Sequence, residues 1–255
     1  MTMTEAATPR TPGTPCWVSL MAHNLAATQD FYGALFGWSF VPAPRQLGPY
    51  VRAQLGGREV AGVGELSGGR ELPVAWTTYL ATDDADATAE LIRACGGTVA
   101  VGPLDAGDAG RLAIASDPFG AVFGIWQGLA LAGAQAAGEP GTQTWNDLQQ
   151  QDLAAAKFYE AVFGYDSAAN GPEEITLSLA GRPVAAVREL GEEPVRGHGP
   201  RWMTYFESAD PDADARRVAG LGGRLLAPPH DQPLGRVATV ADPEGAVFNL
   251  LRTAR

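Results

Sequence analysis

The residues able to do acid–base, nucleophilic or metal chemistry are few in this chain, and they lie apart. There are three histidines: His23 closes a short apolar run, His198 sits in GHGP and His230 opens HDQPLG. His230 beside Asp231 suggests a general base, but adjacent residues point different ways. No Ser or Cys nucleophile motif accompanies the pair, so the histidines read as exposed loop residues. Cys16 and Cys95 are far apart and lack metal-ligand spacing, which reads as two reduced thiols packed as small apolar groups in a cytoplasmic protein. Asp117 and Asp242 recur in the motif Asp-Pro-x-Gly. There Asp caps a turn, Pro presets φ and Gly ends it, so both read as structural. The aromatics form the remaining group. Trp17, Trp76, Trp126, Trp145 and Trp202 fall on predicted strands, with Tyr79 and Tyr205 at matching positions, and such rings suit the stacking of a flat, conjugated ligand.

These residues are positioned by a repeat. DLAAAKFYEAVFGY restates NLAATQDFYGALFGW, so that Phe158 follows Phe31 by 127 residues. Trp202 follows Trp76 by 126 and Asp242 follows Asp117 by 125. Three ordered matches over half a chain indicate a duplicated domain. Each copy divides again into two units of the same order. A short strand leads to a capped helix, with Asn24 in one unit and Asp83 or Asp84 in the next as the cap, and Gly37 or Gly96–Gly97 as the stop. Three β-rich segments follow. The expected fold class is therefore α+β, four βαβββ modules paired into two cupped sheets with helices outside. The expected limits are a flexible tail at 1–13, a first domain at 14–127, a Gly/Ala/Pro-rich linker at 128–142 and a second domain at 143–255. Strand parity places Trp17, Trp145, Tyr79 and Tyr205 in the cups and turns Trp76 and Trp202 toward the helices.

The chain carries 18 Lys plus Arg against 29 Asp plus Glu, a net charge of −11, with no basic cluster, which excludes nucleic acid and anionic membrane as partners. No leader-like apolar segment or run of some 18 apolar residues occurs. A small molecule is the expected partner of a cytoplasmic monomer or weak dimer.

The motif D/N-L, four or five residues, then FY-x-x-x-FG-W/Y, the second-unit helix ending in Gly-Gly, and GR-x-A-x-x-x-DP-x-GA-VF at 110–123 and 235–248 resemble the vicinal oxygen chelate superfamily of glyoxalases, bleomycin-resistance proteins and extradiol dioxygenases. The resemblance implies four metal-ligand positions per cup. Carried onto this chain they fall on Trp17, Glu65, Thr77 and Gly124 in the first half, and on Trp145, Glu189, Met203 and Asn249 in the second. Glu65 and Glu189 alone match, too few donors for a hard divalent ion. The expectation is thus a protein without a cofactor, binding its ligand through Trp17, Ser19, Glu65, Thr77, Tyr79, Trp145, Asp147, Glu189, Met203, Tyr205 and Asn249. The alternative is a glyoxalase- or dioxygenase-type enzyme with a divalent metal on Asp147, Glu189 and Asn249.

Overall fold

The computed structural model describes residues 10–43, 48–66, 73–189 and 199–254. The βαβββ order holds four times. The first module is β1 (Pro15–Ala22), α1 (Leu25–Phe36), β2 (Ser39–Pro42), β3 (Tyr50–Leu55) and β4 (Arg58–Glu65). The second is β5 (Trp76–Ala81), α2 (Ala85–Ala94), β6 (Thr98–Asp105), β7 (Gly110–Ser116) and β8 (Val122–Gly128). The third is β9 (Gln143–Gln150), α3 (Ala156–Phe163), β10 (Asp166–Ala169), β11 (Glu174–Leu179) and β12 (Arg182–Glu189). The fourth is β13 (Arg201–Glu207), α4 (Pro211–Gly220), β14 (Arg224–Gln232), β15 (Gly235–Ala241) and β16 (Val247–Thr253).

Local chemistry explains the helix limits. Asn24 accepts from the Ala27 amide and Asp84 from that of Ala87, while Asp210 accepts from the Asp212 and Ala213 amides. Each such cap is worth about 1 kcal/mol. Gly37 and Gly164 close α1 and α3 in the left-handed region, at φ 73° and 70°, where a Cβ is disfavoured. The strands form two eight-stranded sheets, in the orders β2-β3-β4-β1-β5-β8-β7-β6 and β10-β11-β12-β9-β13-β16-β15-β14. β1 runs parallel to β4, β5 to β8, β9 to β12 and β13 to β16, each pair joined by the crossover of its own module.

The sheets follow the sequence repeat, but the hydrophobic cores do not. One compact unit comprises the described residues of Met1–Trp17, Thr77–Gly133 and Asn146–Trp202, and the other those of Val18–Trp76, Ala134–Trp145 and Met203–Arg255. In the first, Leu80, Ile92, Phe123 and Ile125 share a core with Tyr159, Phe163, Leu177 and Trp202. In the second, Val18, Tyr32, Phe36 and Trp76 share one with Phe206, Val218, Phe248 and Leu250.

The segment expected to be a linker is bonded along its length. In the first unit the Leu129 and Leu131 amides donate to the Ala109 carbonyl, and Leu131 accepts from the Trp126 indole. In the second, Trp38 donates to the Gly141 carbonyl at 2.8 Å and Arg58 pairs with Glu139. Of the expected tail, residues 1–9 lie outside the described residues. Gly13 is buried, donates to the Ala81 carbonyl and accepts from the Tyr165 hydroxyl. No helix among the described residues is long and apolar enough to cross a membrane.

Candidate functional site: one face of each sheet

Strand alternation separates two populations of side chains. On the helix side, the Trp76 indole donates to Tyr32 Oη at 3.0 Å, and Tyr32 donates to Asp242 Oδ2 at 3.0 Å. The second copy of this chain runs from Trp202 to Tyr159 to Asp117, with the same 3.0 Å distances, and Gln150 also donates to Asp117 at 2.7 Å. Asp117 in addition caps its turn, accepting from the Phe119 and Ala121 amides. Asp242 accepts from Glu244 and Ala246. Burial raises the pKa of both carboxyls, an effect the turn amides and tyrosine hydroxyls oppose. Burial foremost, and then the neighbouring carboxylate, pushes Tyr32 and Tyr159 well above the ordinary phenol. Every strong donor in these chains is already taken, so they hold helix, strand and turn together.

The opposite face carries Trp17, Ser19, Thr77 and Tyr79 in the first sheet and Trp145, Asp147, Met203, Tyr205 and Asn249 in the second. Ser19, in register with Gly62, and Trp17 are both buried. Tyr79 is in register with Gly124, and a Cβ added at Gly124 would lie 2.2 Å from Tyr79 Cδ1. The ring therefore rests where a side chain at 124 would stand, as aromatic rings cover strand glycines elsewhere. Thr77, half-buried, precedes it on the same face. Tyr50 was missed by the sequence reading. Its ring covers Gly62, where an added Cβ would fall 1.6 Å from the hydroxyl oxygen, and with Met21 it also crowds Gly64. The signal was present as the interior Gly-x-Gly of β4, since such strand glycines often admit a close neighbour.

In the second sheet Trp145, Met203, Tyr205, Val237 and Leu251 make an apolar cluster separate from the helix-side core. Trp145 is only partly buried. Tyr205 is in register with Asn249, whose Oδ1 accepts from Thr239 at 2.7 Å. Asp147, fully buried, pairs with Arg188 at 3.0 Å, and Arg188 also holds Glu174 at 2.8 Å.

Glu65 and Glu189 require correction. Glu65 is in register with Ala22, on the side where Leu20 enters the helix-facing core. Glu189 is in register with Gln150, which reaches Asp117 on that same side. Both glutamates are exposed strand ends, and period-2 alternation turns them away from Ser19 and Asp147. The alternative metal trio of Asp147, Glu189 and Asn249 therefore does not converge, since two members face opposite sides and Asp147 is held by Arg188. Among the described residues no group of three His, Cys, Asp or Glu is placed to hold an ion. His23 and His230 are exposed, and His198 lies outside the described residues. Cys16 is buried, which raises its thiol to about 12, and Cys95 is a half-buried free thiol. A separate polar groove of about 560 Å³ is lined by Glu207, Ser208, Asp231, Arg236, Arg252 and Thr253.

Comparison with known proteins adds to this geometry. The family described as a glyoxalase-like domain matches residues 146–251. "Putative glyoxylase CFP32" of Mycobacterium tuberculosis is 39% identical over 253 residues, covering 95% of each chain. "Anthracycline biosynthesis protein DnrV" of Streptomyces peucetius is 36% identical, covering 94% of this chain and 93% of its own. Among solved structures, the Mn(II)-bound glyoxalase from Novosphingobium aromaticivorans superposes with a TM-score of 0.67 at 16% identity, covering 95% of this chain and 82% of that one. The 2,3-dioxygenase LapB from Pseudomonas sp. KL28 gives 0.66 at 13%, covering 96% and 94%. The expectation that no cofactor is involved does not stand against these neighbours, one of which has Mn(II) bound on the same fold. The residues of this chain at the expected ligand positions do not form a conventional ion site: a ring covers Gly124, Arg188 neutralises Asp147, and both glutamates face away.

Proposed function

We propose that this chain, which belongs to the vicinal oxygen chelate superfamily as a tandem glyoxalase-like protein, binds a small flat or conjugated metabolite against the aromatic face of its second sheet. The observation that carries this reading is the cluster of Trp145, Met203 and Tyr205, which lies apart from the helix-side core and leaves the Trp145 indole partly open. Rings and a thioether on a rigid strand surface suit stacking, since they bring large contact area with few rotors to immobilise. The two sheets differ in a way that supports the choice. In the first, Tyr79 and Tyr50 lie directly on Gly124 and Gly62. In the second, Asn249 stands in place of a glycine and Arg188 in place of Gly64. A relative named as an anthracycline biosynthesis protein supports looking among flat, conjugated compounds for the ligand.

The test is calorimetric titration with naphthalene-2-carboxamide. Trp145→Phe should weaken binding roughly three- to tenfold, about 1 kcal/mol of stacking. Trp202→Phe, on the helix side, should leave affinity unchanged and lower stability instead. Equal affinities in wild type and Trp145→Phe would remove the basis for the reading. Turnover of the glyoxalase kind is a second reading, favoured by the name of the mycobacterial relative. It is checked by following consumption of a 2-oxoaldehyde–thiol adduct with Mn²⁺, Ni²⁺ or Zn²⁺ added.

A further inference from the structure

The aromatic face of the second sheet holds one amide among its apolar side chains. Asn249 lies in β16, with Tyr205 of β13 in register on one side and Thr239 of β15 on the other. Residues in register share a face, and alternation adds Val247 and Leu251 of β16 to it. All of these, with Trp145, Met203 and Val237, belong to one compact unit. Asn249 is 3% exposed, and its side chain makes one hydrogen bond among the described residues: Oδ1 accepts from the Thr239 hydroxyl at 2.7 Å. Both N–H donors of the amide go unused. A buried amide with idle donors costs stability, because water has been removed and nothing replaces it. An apolar side chain of similar size would pack against Val247, Leu251 and Tyr205 without that cost. The amide and its partner also occur together in the second half alone. Their counterparts in the first half, Gly124 and Ile114, are in register with one another in the same way, and neither can hydrogen-bond through a side chain. Thr239 therefore holds the Asn249 oxygen and leaves its nitrogen to another acceptor. The arginines of β15 and β16, Arg236 and Arg252, alternate to the helix side with Leu250, and Arg236 pairs there with Asp212 of α4. The acceptor that fits Asn249 is thus a neutral oxygen, not an anion.

We infer that Asn249 donates to a carbonyl oxygen of the ligand, so that the second sheet takes an aromatic carbonyl compound, an aryl ketone or amide, and holds it in one orientation. This rests on the aromatic-face reading for the ring and on Asn249, positioned by Thr239, for the carbonyl. A ring over Tyr205 has β16 one strand spacing away, about 4.8 Å, which brings a carbonyl on that ring within reach of the amide. Stacking alone leaves a flat molecule free to turn in its own plane, whereas a directional hydrogen bond fixes it.

The experiment uses the full-length protein and two probes of one shape, 2-acetonaphthone and 2-isopropenylnaphthalene, which differ by C=O against C=CH2. Calorimetry reads the affinity of each for wild type, Asn249→Leu, Asn249→Asp and Trp145→Phe. The ketone-to-alkene affinity ratio should fall roughly tenfold from wild type to Asn249→Leu, while alkene affinity stays the same or rises. Asn249→Asp, measured at about pH 8 to keep the carboxylate ionised, retains the shape and loses the donors. It should lose the same preference, and it decides the matter should Asn249→Leu fail to fold. A ratio that is the same in wild type and the Asn249 variants would overturn the inference. If Trp145→Phe then still weakens both probes, the aromatic reading stands and the carbonyl assignment alone falls. If instead the ratio falls in the Asn249 variants while Trp145→Phe binds both probes as wild type does, the amide assignment stands and the aromatic reading falls. Failure of wild type to bind either probe would overturn both.

Discussion

Tyr32 and Tyr159 are the most consequential single residues on the helix side, because each hydroxyl receives an indole proton and passes its own to a buried aspartate. Tyr32→Phe leaves the Trp76 N–H and one Asp242 oxygen unpaired, so we expect a loss of about 1–3 kcal/mol in urea unfolding, and the same for Tyr159→Phe. The aspartates add a pH signature. Burial places the folded-state pKa of Asp242 above the 3.8 of a free aspartate. Its contribution is therefore fully present below the unfolded value and is lost as pH rises through the raised folded one. Measured by urea unfolding, wild type should gain stability relative to Asp242→Asn on going from about pH 7 to about pH 4.5. A difference that stays constant over that range would contradict the assignment. The turn role of Asp117 and Asp242 was legible, since Asp-Pro-x-Gly has a local mechanism. The partnership with tyrosine was not, because it joins residues 42 and 210 positions apart. Its trace was the recurrence of Phe-Tyr on a helix and of Trp on a strand in both copies.

At the scale of elements, strand alternation decided which residues can meet. It separated Trp76 and Trp202 from Tyr79 and Tyr205 as expected, and it turned Glu65 and Glu189 away because their register with Ala22 and Gln150 puts them on the helix side. Counting positions from a motif gives the strand, but only the register gives the face. Caps and stops of the helices were legible for the opposite reason, being set by chemistry within a few residues. The fit of β8 against β5 gives a prediction at this scale. Gly124→Ala drives a methyl group into the Tyr79 ring and should cost about 1–3 kcal/mol. Tyr79→Ala should largely remove that penalty, so that the double-mutant cycle shows strong coupling. Additive effects would mean that the ring does not rest on Gly124.

For the whole molecule, the repeat dictates the sheets while each core draws on both halves of the sequence. The sequence repeat could not reveal this, since helices of one copy and strands of the other carry equivalent apolar patterns. Fragments 1–135 and 136–255 each hold part of both cores, and neither alone should unfold cooperatively in a thermal melt, whereas a sharp transition for one fragment would show self-sufficient halves. Because the chain supplies four modules of its own, sedimentation should find monomer at low concentration. The central claim is that a flat ligand lies on the second sheet's aromatic face, and a crystal structure with naphthalene-2-carboxamide tests it most directly. The ring should lie against Trp145, Met203 and Tyr205. A ring found instead in the polar groove between Ser208, Asp231 and Arg252, with that sheet face bare, would contradict it.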